Sequence, residues 1–213
     1  MPTLICFALK EEAAPFEKIA AGKTGLSTFI VGIGRANAEK SLRAWLATEL
    51  PDLVLTCGFA GGLNPDLKLG DVVFELPIAN PPLYTRLLAA DAKPATIYCA
   101  DRIATTVAEK KQLRYATNAD AVEMESAAIH AVCAEYDIPC ATVRVISDTA
   151  HEDLPLDFNA LSKADKSIHF GKLFLAIAKS PSKIPQLMQL QKKTKFAAER
   201  LADVLEQITS EKA

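Results

Sequence analysis

Short apolar runs alternating with amphipathic ones constrain this chain more than any other feature. "TLICFAL" (3–9), "STFIVGI" (27–33), "DLVLTCG" (52–58), "DVVFEL" (71–76), "ATIYCA" (95–100) and "CATVRVIS" (140–147) are rich in β-branched residues and bounded by Gly, Pro or Asp. Such runs read as strands. Their apolarity is nearly continuous, which predicts strands covered on both faces. Between them, 35–50 sets Ala38, Leu42, Trp45, Leu46 and Leu50 along one helical stripe, and 124–136 is small and apolar on most sides. The run 186–208 is amphipathic, with Leu187, Leu190, Ala197, Leu201, Val204, Leu205 and Ile208 toward one side. It would close the domain or pack on a partner subunit. The alternation predicts an α/β fold, a βαβ sheet sandwiched by helices. Two breaks interrupt it. "PIANPPLY" (77–84) reads as a Pro-rich loop that excludes a central strand, and "SPSKIP" (180–185) separates two helical stretches.

The 213 residues suit one α/β domain, 1–213, with a sizeable core. The formal net charge of −2 points to no nucleic-acid or membrane partner. No apolar run reaches the roughly 18 residues of a membrane span. The start meets acids early and lacks a basic leader, so a signal peptide is not expected. Five cysteines, Cys6, Cys57, Cys99, Cys133 and Cys140, show no metal-ligand spacing and read as reduced, buried thiols of a cytoplasmic protein. Of the histidines, His130 reads as a core residue, His151 as a solvated loop residue, and His169 as one on a helix face with no role.

Four stretches place polar groups or glycines where strands should end, which is where open α/β sheets bind ligands. In "FALKEEAAPF" (7–16), Glu11 and Glu12 follow a strand; such acids also suit the first turn of a helix. "VGIGRANAEK" (31–40) puts two glycines between strand and helix, allowing an anion site or a plain tight turn, and lacks the dinucleotide fingerprint. "CGFAGGLNPDLKLGD" (57–71) has three glycines in five residues, a loop that something can approach closely. In "RVISDTAHEDLPLDF" (144–158), Arg144 lies inside an apolar strand and needs a carboxylate or a ligand. Ser147 and Asp148 fall at its end, where Asp also serves as a cap or turn former. A further puzzle is "AVEMESAAI" (121–129), which carries Glu123 and Glu125 in an otherwise apolar run. Two residues apart, they point to different sides. Glu123 reads as a strand-end or surface acid, and "KKQLR" (110–114) as a solvated helix face.

In order and spacing, "ALKEE", "VGIGRANA", "CGFAGGLNPDLKLGD", "VEMES" and "VRVISDTA" resemble the nucleoside phosphorylase/nucleosidase superfamily, most of all the methylthioadenosine/S-adenosylhomocysteine nucleosidases. The resemblance implies a three-layer α/β/α fold around a mixed, partly closed sheet. It implies cleavage of a purine nucleoside's N-glycosidic bond, without metal or cofactor, by a homodimer or higher homo-oligomer. Glu12 matches the acid that activates water. Met124 and Glu125 match the pair that packs on the ribose and holds its hydroxyls. Asp148 matches the acid that protonates the purine, with Arg144 and Ser147 at supporting positions. Gly58, Gly61 and Gly62 would let the loop approach sugar and base, and Phe158 would stack near the base. Phe59 stands where many relatives carry a small hydroxyl residue, which together with Glu12 favours hydrolysis over phosphorolysis. A non-catalytic nucleoside-binding protein is the third reading. The stretch from Phe74 to Tyr98 is shorter than in the named nucleosidases and leaves the 5′ substituent open.

Overall fold

The computed structural model describes residues 2–76, 80–161 and 181–210. Eight strands form one mixed sheet: β1 (Thr3–Phe7), β2 (Leu26–Ile30), β3 (Leu53–Gly62), β4 (Val72–Glu75), β5 (Lys93–Pro94), β6 (Ile97–Cys99), β7 (Ala121–Glu123) and β8 (Cys140–Asp148). The main path runs β2-β1-β3-β8-β4-β5. β1/β2, β1/β3 and β3/β8 are parallel, and β4/β8 is antiparallel. The sheet is mixed, as expected, but open rather than partly closed: its path ends on β2 and β5, with β6 and β7 branching off β3.

Continuous apolarity has the expected cause. Leu4, Ile5, Cys6 and Phe7 of β1 are all fully buried, because helices cover both faces. On one face lie α1 (Lys10–Ala20), α3 (Pro81–Ala89) and α7 (Ile184–Thr209), packed on Phe7, Phe16, Leu55, Phe74 and Val143. On the other, α2 (Arg35–Leu46) and α5 (Ser126–Glu135) bring Leu42, Ile129 and Val132 onto Leu4 and Val54. α7 closes the domain through Ala197, Leu201, Val204, Leu205 and Ile208. Leu50 falls beyond the end of α2 and is 60% exposed. Two short elements complete the set: α4 (Val107–Thr117) and α6 (Phe158–Leu161).

Three local readings change. Pro81 and Pro82 open α3 instead of continuing a loop; the first helical turn needs no N–H donors, and Asn80 caps it by accepting from Leu83 N–H at 3.1 Å. The glycine stretch is strand, not loop, since β3 runs through Gly62. The helix expected from Met124 begins at Ser126, leaving Met124 and Glu125 at the turn before it. His169 lies outside the described residues, as do 77–79 of the Pro-rich stretch and Ser180 of the second break. All five cysteines are buried and unpaired. No helix among the described residues is long and apolar enough to cross a membrane.

Candidate active site

β3 changes neighbour partway along. It pairs with β1 as far as Phe7↔Cys57, then with β7 from Gly61↔Val122. Gly58 to Ala60 therefore have no strand on that side, and a cleft opens at the carboxyl ends of β1, β3 and β8. The cavity there measures about 400 Å³.

Glu12, on the first turn of α1, reaches into this gap. Its Oε1 accepts from Phe59 N–H (2.8 Å), and its Oε2 from Ala8 N–H (3.0 Å) and Leu9 N–H (2.9 Å). It is 4% exposed, and burial raises its carboxyl above the ordinary range against those three donors and Arg144. Gly58 makes the reach possible. Its φ is +150°, and a Cβ there would stand 2.7 Å from Glu12 Oε1. Gly61 does the same for Asp148, whose Oδ1 would lie 3.3 Å from a Cβ. The glycines of β3 thus admit two carboxylate side chains to the strand.

Glu125 stands at the turn between β7 and α5. Its Oε1 accepts from Gly34 N–H at 2.7 Å, at the head of α2. Burial pushes its carboxyl up to about 7 despite Arg144, with Glu123 adding to the rise. A raised carboxyl favours the fold at low pH. That contribution is complete below about 4.5 and is lost as pH rises through about 7. Glu125→Gln should therefore match the wild type near pH 4.5 and exceed its stability by roughly 3 kcal/mol above pH 8, at ~1.4 kcal/mol per unit. Urea unfolding at both pH values measures this; equal stability at pH 8 would remove Glu125 as the strained acid.

Glu123 is neither solvated nor idle. It does end a strand, but it is 5% exposed. Its Oε2 pairs with Arg144 Nη2 at 2.6 Å and accepts from Glu125 N–H (3.0 Å) and Ser126 N–H (2.8 Å). Ser126 Oγ donates to Oε1 at 2.6 Å. Burial opposes its charge, but Arg144 together with the hydrogen bonds from Ser126 and Glu125 N–H outweighs burial and holds the carboxyl down at about 2. Arg144 lies behind the cavity wall, 1% exposed, and also donates to Thr56 Oγ1 at 3.0 Å. Its charge stays on, burial being overcome by Glu123, Glu125 and Glu12. One cation thus acts on three acids; Glu123 takes the ion pair, and burial raises the other two against its pull.

Asp148 ends β8 opposite Gly61. Ser147 Oγ donates to its Oδ2 at 2.8 Å, and Lys110 Nζ lies 2.5 Å from Oδ1. Lys110 is fully buried on α4, against the expectation of a solvated face. One signal was available: Lys110 sits three residues from both Val107 and Leu113, on the inward side of the helix. Lys111 beside it masked that signal.

Of the expected residues, Glu12, Glu125, Ser147 and Asp148 line the cavity with Gly61. So do the apolar side chains of Phe59, Met124 and Phe158. Phe158 is carried by α6, which Asn159 fastens to Ile103 by two hydrogen bonds of 2.9 Å. Arg144, Gly58 and Gly62 stand behind the lining. Sequence reasoning did not single out Leu9, Ile33, Ile103, Leu154 and Leu190, which supply more of the apolar wall. His130 is half-buried rather than a core residue, 2.8 Å from Thr142 Oγ1, and His151 is exposed near Pro65 O.

The model of the phosphorylase superfamily matches residues 11–74 and 76–179. A 5′-methylthioadenosine/S-adenosylhomocysteine nucleosidase of Staphylococcus aureus is 28% identical over 166 residues, 62% of this chain and 73% of that protein. The fold resembles the corresponding nucleosidase of Campylobacter jejuni, with a TM-score of 0.69 at 20% identity over 98% of both chains. It also resembles futalosine hydrolase of Helicobacter pylori, with a TM-score of 0.70 at 18% identity over 97% of this chain and 96% of that one.

Proposed function

The chain belongs to the phosphorylase superfamily, and on that premise we propose that it hydrolyses the N-glycosidic bond of a purine nucleoside, releasing free base and a ribose derivative. The observation that carries this reading is the meeting of Glu12, Glu125 and Asp148 in one largely apolar cavity. Each has different surroundings, and each suits a different task.

Loss of a purine builds positive charge on the ribose and negative charge on the base. Glu125 would accept hydrogen bonds from the ribose hydroxyls and stabilise the first charge, with Met124 against the sugar. Asp148 would deliver a proton to a base nitrogen and neutralise the second, positioned by Ser147. Glu12, raised by burial, would take a proton from the attacking water. Arg144 would act from behind by holding Glu123 and setting the charge of the other acids. Phe59 and Phe158 would pack on the nucleoside, and Gly58, Gly61 and Gly62 would give the catalytic carboxylates their places.

Hydrolysis is favoured over phosphorolysis on electrostatic grounds. Two carboxylates face the space beside the sugar, Arg144 is committed to Glu123, Arg35 is engaged with the Cys99 carbonyl and Asp101, and Arg102, the arginine that lines the cavity, is paired with Glu109. A phosphate dianion would meet repulsion there. The relatives named above are a nucleosidase of 5′-methylthioadenosine and S-adenosylhomocysteine and a futalosine hydrolase. The apolar wall of Leu9, Ile33, Ile103 and Leu154 suits a 5′-substituted adenosine derivative of that kind. The reading extends to a homodimer or higher homo-oligomer, as the resemblance implies, in the cytoplasm, which the five buried, unpaired cysteines support.

The test is incubation with adenosine, inosine and 5′-methylthioadenosine, with and without phosphate, reading free base. Release independent of phosphate is the expected result. An absolute phosphate requirement would overturn hydrolysis, and tight binding without any release would replace it with the binding-protein reading.

A further inference from the structure

We propose that Lys110 is the proton source behind Asp148: it recharges Asp148 from the side away from the cavity, so that the two side chains work as one acid. This rests on the glycosidase reading above. The observations are geometric. Lys110 Nζ lies 2.5 Å from Asp148 Oδ1, while Asp148 lines the cavity and Lys110 does not. The lysine is fully buried, and its other donors are fixed by Thr149 O (2.7 Å) and Glu152 O (3.0 Å). Burying an ammonium is costly, and lysine is almost never fully buried without a partner. A stability role alone would be served as well by an apolar residue at this helix position.

No other carboxylate competes for Nζ among the described residues. Glu152 is paired with Lys193 of α7 and accepts from Thr149 N–H. Asp153 accepts from Val107 N–H, and Glu109 is held by Thr105, Thr106 and Arg102. The proton of Nζ therefore has one acceptor of matching charge, Oδ1.

The step balances. The C1′–N bond breaks and its electron pair stays with the base. Nζ gives a proton to Asp148 Oδ1 and Asp148 passes one to a ring nitrogen, leaving Lys110 as the neutral amine and Asp148 as the carboxylate. Water adds to C1′ and gives its proton to Glu12. Return of that proton through solvent to Asp148, and from Asp148 to Lys110, closes the cycle, with water the only co-reactant. Lys110 touches no substrate in this scheme; it is a positioning and proton-supplying residue.

The experiment compares wild type, Lys110→Met and Lys110→Gln on a purine nucleoside and on its N7-methylated counterpart, whose base leaves without needing a proton. Gln keeps a donor for the two carbonyls but has no proton to give. Both variants should lose about 10²-fold or more in kcat on the plain nucleoside. Both should lose less than about 3-fold on the methylated one, with KM little changed on either. Circular dichroism checks that each variant is folded. Parallel losses on the two substrates, or Gln restoring the plain one, would overturn the relay and leave Lys110 a fastener of the 149–152 turn. Absence of base release already in the wild type would overturn the glycosidase reading itself.

Discussion

Asp148→Asn should lower kcat for base release by about 10²–10⁴-fold, the usual worth of a positioned general acid. The asparagine still fills the end of β8 and still accepts from Ser147, so KM should change much less. The structure adds a second effect. Lys110 would be left fully buried with only neutral oxygens around it. Removing one partner of a buried pair costs about 3–5 kcal/mol, and the carbonyl of Asn would recover part of that. Unfolding in urea should therefore show a less stable but cooperative protein. Adding Lys110→Met should restore stability without restoring activity. Full activity in Asp148→Asn would remove this residue from the chemistry.

Glu123→Gln should be the most destabilising single change at this site, by about 3–5 kcal/mol, because it strips Arg144 of its closest counter-charge. Arg144 would then lean on Glu125 and Glu12, whose charges it already feels. Activity would fall as a consequence of that rearrangement. Glu125→Gln should do the opposite: base release falls while stability at neutral pH holds or rises. The pair of variants, measured by denaturant midpoint and by kcat, separates an acid kept for the fold from an acid kept for the substrate. Equal stability losses would erase the distinction. This replaces the expectation of a surface acid at Glu123.

Much of the site was legible because its residues sit at strand ends, and strand ends are visible as switches from apolar runs to polar or glycine residues. Glu12 after β1, Gly34 after β2 and Asp148 at the end of β8 all follow that rule. What was not legible is pairing across the sheet. Glu123 and Arg144 are 21 residues apart, and Lys110 and Asp148 are 38 apart, so nothing local marks either pair. A lysine in a polar helical run looks the same whether its face is wet or buried. Charged groups at strand ends likewise look alike until their partners are placed, since burial and pairing, not residue type, set their charge.

The amino-acid sequence by itself determined the class of fold, because the period and length of its apolar runs permit only a covered sheet between helices. It also determined which carboxylates are available at the ends of those strands. Only the tertiary structure decided their surroundings. The change of β3 from β1 to β7 opens the cleft, and Gly58 and Gly61 let side chains from α1 and β8 into it. The buried guanidinium of Arg144 then pairs with Glu123 and holds it low, while burial raises Glu12 and Glu125 against the pull of the same cation. The reason is physical: a charge removed from water is governed by the few groups within several ångströms, and those groups are brought together by folding, not by sequence proximity.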